Sequence, residues 1–141
     1  MVKVTSCVNL KGRCEEAIEL YEKAFGARID FLMRYSQADM RDWNTPLTDE
    51  QKNMVYHAEV YIGNQRMMFS DIIEVDLTQG ISQFFTLTFE DADSVKKAYE
   101  VIKDGSTIIF PMVSTTYSSC FVSLIDKFGL RWGLMTEQIE K

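Results

Sequence analysis

The sequence predicts an α+β fold made of two successive modules with the same element order. Three observations carry this reading. Runs of alternating or β-branched residues recur along the 141-residue chain and read as strands. Two apolar stripes at helical spacing lie among them: Ala17, Leu20, Tyr21 and Ala24, then Val95, Ala98, Tyr99 and Ile102. Both stripes exit on a glycine, Gly26 and Gly105, about 79 positions apart. That period is too long for a solenoid and suits duplication of a whole module.

The elements follow in order. Val2 to Asn9 is rich in β-branched residues and reads as a strand. A helix near residues 13–25 comes next; Ile18 and Phe25 widen its apolar stripe, and Gly26 caps its end. Ile29, Phe31, Met33 and Tyr35 alternate with Arg28, Asp30, Leu32 and Arg34, the pattern of a half-buried strand. Residues 36–54 form a polar insertion holding Pro46, in which Thr48-Asp49-Glu50-Gln51 has the spacing of a capping box and predicts a short helical turn. Strands resume at Val55 to Ile62, turn at Gly63-Asn64 and continue from Arg66 to Ser70. Residues 1–72 make the first module. Residues 73–79 form a tight connection without proline or serine richness, and residues 80–141 make the second module of one structural domain. In that second half Ser82 to Phe89 is a strand, and Asp91-Ala92-Asp93 starts a helix over residues 92–103. Ser106 to Phe110, Ser119 to Ile125 and Leu130 to Thr136 are the remaining strands. Asp126-Lys127-Phe128-Gly129 turns the last pair.

Composition excludes several function classes. The hydrophobic fraction of 46% and aromatic fraction of 12% belong to a globular chain. The net charge of −6 argues against nucleic acid and against anionic membrane surfaces as partners. No apolar run reaches membrane-spanning length, and the N-terminus enters a strand pattern without a signal core. Cys7, Cys14 and Cys120 are odd in number and lack metal-ligand spacing, so free thiols in a cytoplasmic protein are expected.

Four segments carry a resemblance. Asp126-Lys127-Phe128-Gly129-Leu130-Arg131-Trp132 resembles the closing hairpin of the vicinal-oxygen-chelate superfamily, in its PhnB-like branch. Gly12 to Tyr21, with Phe25-Gly26-Ala27, is similar to that branch's first helix and its exit. His57 to Gly63 and Met67 to Asp71 are similar to the paired strands ending its first module. The superfamily includes glyoxalase I, extradiol dioxygenases and antibiotic-binding resistance proteins. The resemblance implies two βαβββ modules forming a cup-shaped, mainly antiparallel sheet with helices on the convex face, and a homodimer. It does not imply one reaction, because the superfamily hosts many.

In that architecture the concave face is the pocket, and strand alternation sorts the residues. Phe85, Leu87 and Phe89 should meet a helix, leaving Ser82, Phe84, Thr86 and Thr88 on the cup side. Cys120, Val122 and Leu124 should be core, leaving Ser119, Phe121 and Ser123. Tyr56, Ala58, Val60 and Ile62 should be core, leaving His57, Glu59 and Tyr61. The expected site is therefore His57 and Glu59 as candidate catalytic residues, with Phe84, Thr86 and Phe121 binding a ligand and Trp43 and Tyr117 at the mouth. His57 reads either as a general base or ligand hydrogen-bonder, or as a satisfied polar residue at a seam. Cys7 and Cys120 read as small buried hydrophobes.

Metal-using members place four His, Gln or Glu ligands on four strands. Aligned on the helix exits and the closing turn, this chain offers Ser6, Met68, Phe84 and Gly133 there, so no metal and no other cofactor is expected. No glycine-rich loop follows a strand to hold an adenosyl group. The expected function is a metal-free small-molecule binding protein. The alternatives are an enzyme using His57 and Glu59 for proton transfer on a small organic substrate, and an assembly role with a vestigial cup.

Overall fold

A computed structural model of the chain describes residues 2–39, 42, 45–73, 76–78 and 80–137. The chain forms two compact units, Met1–Thr78 and Gln79–Lys141. The first runs β1 (Ser6–Leu10), α1 (Cys14–Phe25), β2 (Arg28–Arg34), a 3-10 turn, α2 (Asp49–Lys52), β3 (Val55–Ile62) and β4 (Gln65–Asp71). The second runs β5 (Phe85–Phe89), α3 (Ala92–Ile102), β6 (Thr107–Val113), β7 (Phe121–Ile125) and β8 (Arg131–Thr136). Each is a βαβββ module, as expected.

Each unit carries its own four-stranded sheet, in the orders β1-β4-β3-β2 and β5-β8-β7-β6. In both, the first strand lies parallel to the last and the other pairs are antiparallel. The predicted ends move by a few residues. β1 starts at Ser6 instead of Val2, β5 at Phe85 instead of Ser82, and β6 runs on to Val113 through Pro111. Proline is tolerated there because β6 is an edge strand.

In the first unit the core forms between α1 and one sheet face. Ala17, Ile18 and Tyr21 are fully buried, and the Tyr21 ring lies 6.0 Å from that of Phe69 on β4. Val8, Ala58, Val60 and Met67 complete this layer. In the second unit Val95, Ala98 and Ile102 of α3 are buried, as are Trp132 and Leu134 of β8. Gly26 ends α1 with φ 69° in the left-handed region, where a side chain would be strained, and the N–H groups of Gly26 and Ala27 close on Glu22 and Tyr21.

The two long helices, α1 and α3, start differently. α3 is capped locally, since Asp91 accepts from the Ser94 N–H at 2.8 Å. α1 has no side-chain cap from Arg13. Its first N–H groups are met from the end of β4 instead. Asp71 Oδ1 accepts from Gly12 at 2.8 Å and Cys14 at 2.9 Å, and Oδ2 accepts from Val55 at 3.1 Å. Asp126 plays a similar part in the second unit. It accepts from the N–H groups of Phe128 and Leu130, as turn chemistry predicts, and also from Trp132 Nε1 at 2.8 Å.

The insertion between β2 and β3 is tied down by two devices. Thr48 and Gln51 form the predicted capping box. The Tyr56 hydroxyl donates to Asp42 at 2.6 Å while its ring packs on Tyr35. Tyr56 is therefore half-buried, not the core residue that alternation suggested, because the β2–β3 pairing shifts register between Met33 and Arg34 and Val55 takes the buried place. The hydrogen bond to Asp42 pushes the phenol up to about 12. No helix among the described residues is long and apolar enough to cross a membrane.

Asp71→Ala should cost about 3 kcal/mol or more, because two buried N–H groups, of Cys14 and Val55, and the part-buried one of Gly12 lose their acceptor. Asp76→Ala, which removes an exposed ion pair with Lys11, should leave the unfolding midpoint nearly unchanged. Urea unfolding of the two variants checks the contrast.

Candidate functional site

Pairing register decides which side chains share the sheet face opposite the helix. In the first unit Cys7 stands across from Met68, and Met68 across from Glu59; His57 lies two residues from Glu59 on the same strand. Their neighbours of opposite parity, Val8, Phe69, Ala58 and Val60, are buried on the α1 side. His57, Glu59 and Tyr61 thus lie on the open face, half-buried.

Two features of this face were not foreseen. Cys7 is exposed on it, with Sγ 3.8 Å from Met68 Sδ, and is not a buried hydrophobe. Ser6, which the alignment set at the first metal-ligand position, pairs with the buried Met67 and lies on the helix side. Cys120 is buried as expected, and burial pushes the Cys14 thiol up, with Asp71 and Glu15 adding to the shift.

The polar centre of this face is a chain of three side chains. Arg66 donates to Glu59 Oε1 from Nε at 2.6 Å and from a terminal nitrogen at 2.5 Å. Glu59 Oε2 lies 3.3 Å from His57 Nε2, and the Phe31 ring packs 6.2 Å from the imidazole. The Arg66 hydrogen bonds hold the Glu59 carboxyl below the usual carboxylate range, partial burial opposes this, and His57 adds to the lowering. A carboxylate so held is a weak base. It can orient an imidazole, leaving proton transfer to His57. Arg66 escapes the sequence reading because apolar residues stand on both parities of β4, Met68 on one and Met67 and Phe69 on the other.

In the second unit the open face is set by Thr86, Gly133 and Ser123, which stand side by side across β5, β8 and β7. Phe84 precedes this strand. The Arg131 guanidinium carbon sits 3.8 Å from its ring centre. Arg131 also donates from Nε to Ser123 Oγ at 3.3 Å and from Nη1 to the Ile81 carbonyl at 2.7 Å. Ser123 is consequently fully buried. Phe121 is half-buried, and the Tyr117 ring meets it edge-on at 6.0 Å. Phe84, Thr86 and Phe121 therefore share one face of one sheet, with Tyr117 beside Phe121. Trp43 lies outside the described residues. Arg131 was missed because Leu130, Trp132 and Leu134 draw attention to the apolar parity of β8.

The residues do not fit the superfamily's divalent metal. Met68 and Cys7 offer a thioether and a thiol, and Phe84 offers no donor. Gly133 offers none either, and it is overlaid: a Cβ built there would meet Thr86 Oγ1 at 3.1 Å and Phe84 at 3.3 Å. Among the described residues no three His, Cys, Asp or Glu side chains cluster as metal ligands.

No protein-family model matches the chain, and no curated protein matches it. Solved structures do match over almost its full length. A Pseudomonas aeruginosa protein superposes with a TM-score of 0.78 at 19% identity, covering 99% of this chain and 100% of its own. A Bacillus cereus protein named a putative 3-demethylubiquinone-9 3-methyltransferase, PhnB protein, gives 0.72 at 25% identity, covering 96% and 99%. A glyoxylase/bleomycin resistance protein/dioxygenase domain from Frankia gives 0.68 at 8% identity, covering 100% and 96%. These likenesses show the fold.

Arg66→Met should raise the Glu59 pKa toward the ordinary carboxylate value, read by the pH titration of its side-chain carbon in NMR spectra. Because the folded value is the lowered one, the stabilisation is complete above the unfolded pKa and fades as pH falls through the folded one. The stability gap between wild type and Arg66→Met should therefore narrow below about pH 4.

Proposed function

We propose that this chain, whose fold is that of the vicinal-oxygen-chelate superfamily, is a metal-free binding protein for a small, partly apolar organic molecule. The observation that carries the reading is Gly133. Where metal-using members hold a ligand on the last strand, this chain has no side chain, and Phe84 and Thr86 fill the space. What remains on that face is aromatic surface beside hydroxyls, Phe84 and Phe121 with Thr86 and Thr88. Such a surface buries a ligand's apolar body and orients it through few polar contacts.

A second reading is favoured by the Arg66–Glu59–His57 chain. An imidazole oriented by an ionised carboxylate is equipped to accept a proton, so the protein would be an enzyme acting on a small organic substrate through His57, with Glu59 positioning it.

The partner set follows from charge and surface. A net charge of −6 disfavours nucleic acid and anionic membrane. Three free thiols, one of them exposed, suit a reducing cytoplasm. A homodimer is supported by the edge strands. Ile29 and Phe31 on β2 are each 43% exposed, and Phe110 and Val113 on β6 are 53% and 52% exposed, an apolar load that a second copy would cover.

A thermal-shift screen of small aromatic compounds should find ligands that raise Tm, and Phe84→Ala should weaken them roughly tenfold through lost ring contact. Elemental analysis should find no stoichiometric divalent ion; one zinc, nickel, iron or manganese per chain would overturn the metal-free reading. Recovery of a chemically altered compound after incubation, lost in His57→Ala, would move the function to the enzyme reading.

Light scattering should report a dimer at micromolar concentration, and a stable monomer would contradict that assembly.

A further inference from the structure

We infer that Arg131 is an anion anchor and that the molecule bound on the second unit's open face is an organic anion, with a carboxylate or a phosphorus oxyanion beside an apolar body. This rests on the binding reading above and adds the charge of the ligand to it.

The argument starts from the arginines. Three of those described are half-buried: Arg34, Arg66 and Arg131. Arg34 holds Glu15 at 2.7 Å, and Arg66 holds Glu59. Arg131 has no carboxylate partner among the described residues. Its acceptors are both neutral, the Ser123 hydroxyl and the Ile81 carbonyl. A partly desolvated cation favours a counter-charge, and a guanidinium has five N–H donors, of which these two contacts use two.

Geometry says how the counter-charge would arrive. Stacking on Phe84 at 3.8 Å fixes the plane of the guanidinium. Hydrogen bonds from Nε and Nη1 fix its rotation within that plane. Three N–H donors remain, two on Nη2 and one on Nη1, held in a set plane where the adjacent terminal nitrogens can meet the oxygens of one anionic group. Phe84 serves twice: its ring holds Arg131 and lies over Gly133. An anionic head group at Arg131 would thus sit at the edge of the Phe84 and Phe121 surface, where an apolar body could lie. On the first unit's open face Arg66 is committed to Glu59, and Arg28, 4.9 Å over the Tyr61 ring, is exposed to solvent instead of half-buried.

Four probes of similar size test this on the full-length protein by NMR titration at fixed ionic strength: benzoate, phenylphosphonate, benzyl alcohol and benzylammonium. At least one anion should bind with a Kd about tenfold or more below that of benzyl alcohol, and benzylammonium should be weakest. The ratio of benzoate to phenylphosphonate decides between carboxylate and phosphorus oxyanion. Arg131→Met should erase the anion preference, bringing the anions to the affinity of benzyl alcohol for the same variant, and Arg131→Lys should keep part of it. If Arg131→Met fails to fold, Arg131→Lys and the wild-type charge series decide. Benzyl alcohol binding as tightly as both anions, or an anion preference that survives Arg131→Met, would overturn the anchor and leave the binding reading standing. If none of the four perturbs this face, the binding reading falls and the anchor with it.

Discussion

Much of the first unit depends on one buried carboxylate. Asp71 closes β4, and its two oxygens hold the start of α1 and the start of β3 at once. Three segments distant in sequence meet there, and the backbone carbonyl of Asp71 also takes the Tyr35 hydroxyl at 2.7 Å. A carboxylate at a helix start meets the positive end of the helix dipole, so the same group caps and neutralises. It also pins the first residue of β3. Since side chains alternate across a strand, a slip of one residue would turn His57 and Glu59 toward α1 and bring Ala58 and Val60 to the open face. The polar chain on that face thus inherits its position from an acid on the covered side.

The fold was legible because its signals are local and repeated. Helical stripes ending in Gly26 and Gly105, the Asp91 cap and the closing Asp-Lys-Phe-Gly turn each specify their element with residues close in sequence. What could not be read was the tertiary cap on α1. Nothing around Arg13 announces it, because the acceptor is nearly sixty residues away in Asp71. The extent of β6 was hidden for a like reason, since Pro111 reads as a strand breaker until its edge position is known.

The site was legible where alternation was clean and lost where it was not. On β3, small and branched residues mark one side, and His57 and Glu59 fall on the other. On β4 and β8 apolar residues occupy both parities, so Arg66 and Arg131, the two cations that shape the open faces, went unread. A usable signal did exist on β8: Arg131, Gly133 and Met135 share one parity, and a charge next to a glycine amid an apolar strand marks the less covered side. At β1 the slip of one residue between Ser6 and Cys7 exchanged a hydroxyl for a thiol.

Gly133 ties three side chains to one another. The space over its Cα is held by Phe84 and Thr86, each closer than ordinary van der Waals contact to where a Cβ would stand, and Phe84 in turn supports Arg131. A side chain at this position would press on both neighbours at once, each having to give by a few tenths of an ångström, and any shift of Phe84 would disturb the platform of the guanidinium. A residue without a side chain thus governs the placement of a charge, because the ring that closes over it is also the ring on which the guanidinium rests.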